Sequence, residues 1–552
     1  MTNNSSTLKK LGFASLIMML SVFSSRVIGL AREMTIAFAG GAGGEVDAYQ
    51  IAFIIPEILN HVVASGFLSV TFIPIFTAYL SNDNEEEGWR VFSIIFNTFS
   101  VLLIIFIAIA FYYSPELVRF FAPGFKDPEL FNSAVRMTRI IMPAQFFFFA
   151  GGMFMAVQFA KEKFFIPALA PLLYNLGIIA GGLLWMFAGS QPEILLPLLS
   201  AISPDLSFLG RLGMDGFAWG VFAGAFLGNF ALQYIGAKKA GMKLYPLVNL
   251  KHPEFLKYIL LTIPLMAGLS MTFSTEIFLK YFGSFMSDGS IAALNYALRI
   301  MFILVGIFGQ AVGVASYPFM AMLASRGKMD ELNNLLNTTL KYLLLVIPVS
   351  ALFMVLNHEI VFLLFQRGRF TPDATRITSE VLPFIMAGTF AFAAQTVVVR
   401  GYYAIQNTWF PALFGTIAVF ASIPLFFIFM KLMGTPGVGL ALSICAFMNS
   451  GLLFFLWNKK SGNKGARTVY IFMVKMILLS GGVGLFLWKT ASLLQSLFSN
   501  STIFGALAIS TITGLVFVML FILSGMIFGI EEITTFVAKL AGKLKVYRKK
   551  TL

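Results

Sequence analysis

The residues best suited to chemistry in this sequence are charged side chains inside long apolar runs. Eight of the 39 Lys and Arg residues lie there: Arg26, Arg32, Arg136, Arg139, Lys280, Arg299, Arg400 and Lys475. Each costs about 2.5–3.5 kcal/mol at the centre of a membrane helix, so it must face water, a partner or a ligand. Arg26 and Arg299 lie deep in their runs and have no acidic residue nearby in sequence. Because a guanidinium group matches phosphate oxygens, these two arginines predict the binding of an anionic substrate.

A short glycine-rich turn between the first two apolar runs is flanked by opposite charges. Arg32 lies before residues 40–44 and Asp47 lies after them. This spacing predicts an ion pair across the hairpin. Both residues are candidates for the same substrate-binding site.

The second run carries a polar stripe. Glu57 and His61 are four residues apart, which places them on one helix face. Pro56 precedes them and is expected to kink the helix. We include Glu57 and His61 among the candidate substrate-binding residues. Glu276 and Lys280 have the same spacing in a later run and predict an internal ion pair.

The composition excludes a soluble protein. Of the 552 residues, 58% are hydrophobic and 12% are charged, whereas a soluble chain has about 25% charged residues. The single Cys and the three His show no metal-ligand spacing, and no Walker A, HExxH or GxSxG motif is present. We therefore predict a transporter-like membrane protein that is not an enzyme and needs no metal or other cofactor. The net charge of +14 is scattered between apolar runs, which argues against nucleic acid as a partner.

Fourteen runs are long enough to cross a membrane, which requires about 20 apolar residues each. They cover residues 11–39, 47–79, 91–113, 134–160, 164–189, 216–237, 257–282, 290–324, 340–365, 376–404, 409–431, 437–457, 468–488 and 503–529. With a cytoplasmic N-terminus, the inside segments hold 23 Lys and Arg residues and the outside segments hold 8. This asymmetry predicts that both termini are cytoplasmic.

An internal repeat relates two parts of the chain at an offset of 244 residues. The repeat pairs Pro74 with Pro318, Ser81 with Ser325, Gly124 with Gly368, Pro128 with Pro372, Ala160 with Ala404, and the tripeptide Pro-Ala-Leu at 167–169 with 411–413. Six spans lie between equivalent positions, so both copies have the same orientation. The predicted domains are an N-terminal lobe (1–240), a C-terminal lobe (241–460), an added helix pair (461–529) and a basic cytoplasmic tail (530–552).

Several motifs match one membrane-protein family in order along the chain. They are SRVIGLARE at 25–33, GAG at 41–43, DAY at 47–49, FAPGF at 121–125, NYALR at 295–299, LFQRGRF at 364–370 and RGYYA at 400–404. Across residues 10–460, this set resembles the MurJ (MviN) family of lipid II flippases, in the multidrug/oligosaccharidyl-lipid/polysaccharide exporter superfamily. The resemblance implies an all-α integral membrane protein with 14 transmembrane helices, as two pseudo-symmetric six-helix lobes and two C-terminal helices.

The resemblance also implies a function. A member flips the lipid-linked peptidoglycan precursor lipid II, an undecaprenyl-diphosphate-linked muropeptide, from the cytoplasmic to the periplasmic leaflet of the inner membrane by alternating access. A cationic central cavity would bind the diphosphate headgroup, and a groove near the last two spans would take the polyprenyl tail. Carried over by position, Arg26, Arg32, Asp47 and Arg299 match cavity residues. Membrane lipids and peptidoglycan synthases are the other expected partners.

Departures from the family pattern keep other functions open. Asn60 and His61 stand where the family often has a basic pair, Leu298 replaces a common acid, and Glu57 replaces a common Asn. The alternatives are a flippase for another lipid-linked envelope polysaccharide, a degenerate non-transporting scaffold, and a cation-coupled drug exporter. Deep arginines favour the two flippase functions, since a cationic drug requires unpaired intramembrane acids.

Overall fold

The structure is a computed structural model that describes residues 2–60, 67–190, 213–268 and 270–530. The secondary structure of these residues is helical, joined by turns and short irregular segments. His61, most of the unusual segment at about 190–215, and the basic tail from residue 531 onwards lie outside the described residues.

The helices are numbered in chain order. They are α1 (Thr2–Gly40), α2 (Gly44–Ala52), α3 (Ile54–Leu59), α4 (Phe67–Ser81), α5 (Glu85–Tyr112), α6 (Ser114–Phe121), α7 (Pro128–Ile141), α8 (Ala144–Ala160), α9 (Phe165–Ser190), α10 (Asp215–Lys239), α11 (Pro253–Gly268), α12 (Ser270–Gly283), α13 (Ser290–Ser325), α14 (Met329–Leu344), α15 (Val346–Val355), α16 (Asn357–Phe365), α17 (Pro372–Met386), α18 (Thr389–Ala404), α19 (Trp409–Met433), α20 (Thr435–Ser461), α21 (Ala466–Leu497) and α22 (Ile503–Ile527). Two of them contain a π-helical segment, at Ala225–Ala231 in α10 and Val305–Gln310 in α13.

The length and composition of the helices define a multi-pass membrane protein. Within the described residues, 10 helices or continuous helix pairs are long and apolar enough to span a membrane. The pair α17–α18, bent by 44° at its break, makes an eleventh. The three other predicted runs, 11–39, 47–79 and 257–282, coincide with α1, α2–α4 and α11–α12.

The chain forms two compact units. The first comprises residues 1–292 with 367–371, and the second comprises 293–366 with 372–552. The first therefore contains α1–α12, and the second contains α14–α22 and nearly all of α13. The domain boundaries predicted from the sequence stay a prediction.

Helix boundaries follow the sequence repeat. Helices α5, α7 and α9 begin 244 residues before α14, α17 and α19, and α6 and α8 begin within one residue of the same offset from α16 and α18. Pro128 and Pro372 each occupy a first helical position, where the missing N–H costs no hydrogen bond. The sequence repeat is thus reproduced in the structure, where equivalent helices begin at the same offset.

Aromatic rings join four helices of the first unit. Phe76 of α4 lies 4.6 Å from Trp89 of α5, and Phe99 of α5 lies 5.4 Å from Phe149 of α8, as measured between ring centroids. Tyr258 of α11 packs edge-on against Phe99 at 6.1 Å. These separations are within the range in which aromatic pairs stabilise a core.

The connection between α10 and α11 is an extended segment held along α5. The Asn97 amide donates to the carbonyl oxygens of Tyr245 and Leu247 at 2.7 and 3.0 Å, while the Tyr245 N–H donates to the Ser93 hydroxyl at 2.9 Å. The Lys243 ammonium lies 2.6 Å from the Glu86 carboxylate, and this hydrogen bond raises the pKa of Lys243. Irregular backbone beside a membrane helix needs such internal partners.

We expect Asn97→Leu to release this segment from α5. Two carbonyl oxygens lose their donor, at about 1–3 kcal/mol for each one left unpaired. Cleavage by a lysine-specific protease at Lys243 or Lys251, measured on the purified protein, should become about tenfold faster. Ser100→Ala is the control, because the buried Ser100 hydroxyl on the same helix has no hydrogen-bond partner among the described residues. Equal cleavage of both variants would contradict this account.

Candidate functional site

Asp47 binds backbone N–H groups at the start of α13. Its carboxylate accepts from the Gly289 N–H and the Ala292 N–H, both at 2.7 Å, and its side chain is 2% exposed. A carboxylate in this position compensates the unpaired donors and the positive dipole of a helix N-terminus. The structure therefore gives Asp47 a role in fixing the first turn of α13.

Acidic groups surround Asp47 on its open side. A cavity of about 130 Å³ is bordered by Asp47, Asp127 and Asp288, with Lys126 also in its wall. Three carboxylates against one ammonium disfavour an anionic ligand here. No group of His, Cys, Asp or Glu suited to a metal ion is found in the described residues.

Arg32 pairs with a neighbour on its own helix. Its guanidinium lies 2.5 Å from Glu33 and donates to the Asn175 side-chain oxygen of α9 at 3.0 Å. The Asn175 amide in turn donates to the Pro171 carbonyl at 2.9 Å. The ion pair predicted between Arg32 and Asp47 is therefore wrong, because both side chains are engaged elsewhere. Glu33 follows Arg32 directly in the sequence, so this partner could have been predicted. Asn175 is 143 residues away, and no local sequence feature points to it.

Helix α3 and helix α12 are connected by an ion pair. The Lys280 ammonium lies 2.8 Å from the Glu57 carboxylate, with side-chain exposures of 5% and 28%. The predicted pairing of Lys280 with Glu276 stays a prediction beside this contact. The predicted effect of Pro56 is confirmed, since the helix is interrupted at Phe53, between Ala52 and Ile54. Pro56 has no N–H to donate to the carbonyl one turn earlier.

The two deep arginines lie on different units. Arg26 is an exposed residue of α1 in the first unit, and Arg299 is a partly buried residue of α13 in the second. Arg136 was also identified as an intramembrane charge. Its guanidinium donates to both carboxylate oxygens of Asp215, at 2.8 and 3.2 Å. The two residues are 79 positions apart, so sequence spacing did not predict this ion pair.

An apolar groove lies within the second unit. It has a volume of about 450 Å³ and runs between α15, the break from α17 to α18, and α21. Small residues of α21 leave the space: a Cβ added at Gly481 would meet no atom within 4 Å, and one at Gly484 would meet only the Ala351 Cβ, at 3.8 Å. The only hydroxyl groups in the wall, on Ser350 and Ser480, donate to carbonyl oxygens of their own helices. The groove thus suits a hydrocarbon chain.

Solved structures share this fold. A structure described as "Lipid II flippase MurJ, inward closed conformation" has a TM-score of 0.70 at 24% identity, covering 93% of this chain and 99% of that one. An inward-facing multidrug resistance MATE family transporter of the MOP superfamily has a TM-score of 0.62 at 13% identity, covering 79% and 94%. The chain therefore shares the fold of these multi-pass membrane proteins.

The sequence specifies the family within this class. A relative from Buchnera aphidicola subsp. Baizongia pistaciae, named "Probable lipid II flippase MurJ", is 27% identical over 437 residues, which cover 79% of this chain and 81% of the relative. The family model described as "Lipid II flippase MurJ" matches residues 36–508. The chain belongs to the lipid II flippase MurJ family, whose members are transporters and not enzymes. The resemblance found in the sequence motifs is confirmed.

Loss of Glu57 should destabilise the protein more than loss of a surface acid. Glu57→Ala leaves the Lys280 ammonium buried without this partner, which costs about 3–5 kcal/mol. The double change Glu57→Leu with Lys280→Met should recover most of the loss, because it removes both charges. The measurement is the thermal unfolding temperature in detergent. The control is Glu380→Ala, which breaks an exposed ion pair with Arg376 worth at most about 1 kcal/mol. If Glu57→Ala unfolds at the same temperature as this control, the ion pair is not important for the fold.

Proposed function

We propose that this protein flips lipid II from the cytoplasmic to the periplasmic leaflet of the bacterial inner membrane by alternating access. The observation that carries the proposal is the family match over residues 36–508. The deep arginines agree with a diphosphate-linked substrate, because phosphate oxygens accept bidentate hydrogen bonds from guanidinium groups. Peptidoglycan synthases are proposed as partners, since they would consume the flipped precursor.

The proposed topology has fourteen spans with both termini in the cytoplasm. Spans 1–6 form a lobe over residues 1–240, spans 7–12 a second over 241–460, and spans 13–14 follow at 461–529. The excess of Lys and Arg in the inside segments supports this orientation. The recurrence of helix starts at an offset of 244 residues supports two related lobes.

Arg26 and Arg299 are the proposed headgroup-binding residues. Arg32 and His61 are proposed as further residues that bind substrate, and Asp47 and Glu57 as residues that support them. The contacts of Asp47 with backbone N–H groups and of Glu57 with a lysine point to a supporting role for these two carboxylates.

The apolar groove beside α21 is the proposed site of the polyprenyl tail. Its wall is formed by aliphatic side chains, Phe390, small residues and two internally bonded hydroxyl groups. Each methylene group moved from water into such a groove contributes about 0.8 kcal/mol, but a tail that leaves lipid gains much less. The groove would therefore orient the tail and give a modest preference for a long chain.

Arg26→Ala and Arg299→Ala should each reduce flipping at least tenfold. Each change removes charge-assisted hydrogen bonds to phosphate worth about 1.5–3 kcal/mol, without an insertion penalty, because it deletes a charge from the membrane. The test is complementation of cells depleted of their own flippase, with leaflet-resolved measurement of lipid II. Arg376→Ala is the control, since Arg376 forms an exposed ion pair with Glu380. Normal transport by both arginine variants would overturn the proposed headgroup site.

Two neighbouring glycines of α21 provide a matched test of the tail site. A Cβ at either Gly481 or Gly482 would meet no atom within 4 Å, but only Gly481 lines the groove. Gly481→Leu should therefore fill the groove and reduce flipping several-fold, whereas Gly482→Leu should leave it near normal. Both changes raise helix propensity by a similar amount, somewhat less than the about 0.8–1.0 kcal/mol that separates glycine from alanine. Equal effects in the same flipping assay would contradict a tail site at this groove.

A further inference from the structure

Helix α21 is held to the second unit along one narrow stripe and by polar contacts near both ends. The buried residues of the stripe recur every three or four positions: Ala466, Val469, Phe472, Met476, Ser480, Val483, Leu487, Ala491 and Leu494. Midway along this stripe, at residues 477–485, the helix borders the apolar groove. The position of its ends therefore determines how far its middle stands from α15.

The N-terminal end of α21 is fixed by side-chain amides. Asn337 of α14 and Asn463, in the turn before α21, donate to each other's side-chain oxygens at 2.8 and 2.9 Å. Asn333, one turn earlier on α14, accepts from the Trp457 indole N–H at 2.9 Å and from the Ser461 hydroxyl at 3.0 Å. Buried amides with several partners each fix one arrangement of the elements they join.

The C-terminal end of α21 is hydrogen-bonded to a buried acid of α16. The Gln495 amide donates to the Glu359 carboxylate of α16 at 2.8 Å. Glu359 is fully buried, and its other carboxylate oxygen has no hydrogen-bond partner among the described residues. Gln495 thus supplies the hydrogen bond on which this buried carboxylate depends.

Two layers of packed apolar side chains lie between this hydrogen bond and the groove. Leu494 and Leu356, adjacent to the bonded pair, pack with Ile509 of α22. The next layer contains Val483 and Leu487 of α21, together with Val355 of α15, which also lines the groove. Because packed side chains are close to incompressible, we expect a shift at Gln495 to displace the groove wall.

We propose that Glu359 and Gln495 are positioning residues that set the width of the groove for a polyprenyl chain. The proposal rests on the tail site described under Proposed function and adds the pair of side chains that shapes it. Neither side chain lines the groove, so they act on the hydrocarbon chain through α21 and its apolar layers.

Gln495 is the donor and Glu359 the acceptor of this hydrogen bond, so substitutions of the two residues should have effects of different size. Gln495→Ala leaves the buried Glu359 carboxylate without its donor and should have the largest effect. Glu359→Gln keeps a carbonyl acceptor for Gln495 and should have little effect. The exchange Glu359→Gln with Gln495→Glu restores a donor and an acceptor and should recover most of the loss.

The experiment compares undecaprenyl diphosphate with farnesyl diphosphate, which share a headgroup and differ in chain length. Equilibrium binding of each is measured on the full-length protein in nanodiscs. We expect the wild-type protein to prefer the longer chain, and Gln495→Ala to reduce this preference two- to threefold, because a tail taken from lipid gains only part of the transfer free energy of each methylene group. Affinity for farnesyl diphosphate should stay unchanged.

Tyr402→Phe is the control for general destabilisation. It removes a buried hydrogen bond between α18 and α20 of the same unit, from the Tyr402 hydroxyl to the Leu453 carbonyl at 2.9 Å, and it keeps the ring that packs against Trp457. It should keep the chain-length preference. If the wild-type protein has no chain-length preference, the proposed tail site fails. If the wild type has the preference and Gln495→Ala keeps it, the tail site stands and the positioning role is overturned.

Discussion

The rest of this structure depends on one constraint: inside a membrane, each polar group must find its partner within the protein. Water is absent from the hydrocarbon region, and an unpaired polar group there costs several kcal/mol. Lys280 and Glu57 satisfy this constraint by forming an ion pair, in which the ammonium nitrogen lies 2.8 Å from the carboxylate. The Asn97 amide satisfies it for two carbonyl oxygens of an extended segment by donating a hydrogen bond to each.

The same constraint explains where the helices are allowed to break. Pro56 removes a donor from the second span, and the helix is interrupted at Phe53. Asp47, on the other side of that break, supplies an acceptor for two N–H groups at the start of α13. The N–H groups that the start of α13 leaves unpaired are thus bound by a side chain of another helix.

Local features of the sequence predicted much of this architecture. The long apolar runs coincide with the observed helices, and the offset of 244 residues reappears in the helix starts. These features depend on composition and spacing along the chain, which sequence alone provides. The family motifs, in their order along the chain, predicted the lipid II flippase MurJ family, and the family match confirms this prediction.

The partners of individual charges could not be predicted in this way. Lys280 pairs with Glu57 across 223 residues, and no local feature of the sequence points to this pair. Arg32 was assigned to Asp47 across a hairpin, yet it binds Glu33 and Asn175. Several acceptors compete for each cation, and helix packing decides between them by differences of about 1 kcal/mol that sequence spacing does not encode.

A lipid-linked substrate places opposite demands on the two parts of its binding site. Its charged headgroup must cross a region where an unpaired charge is unstable, so the groups that bind it must change their access between the two faces of the membrane. Its hydrocarbon tail stays in an apolar environment on both faces and needs no such change. A fixed groove is therefore sufficient for the tail. The buried amide contacts at Asn337 and Asn463 and the bond between Gln495 and Glu359 are suited to keeping one wall of that groove in place while the headgroup site moves.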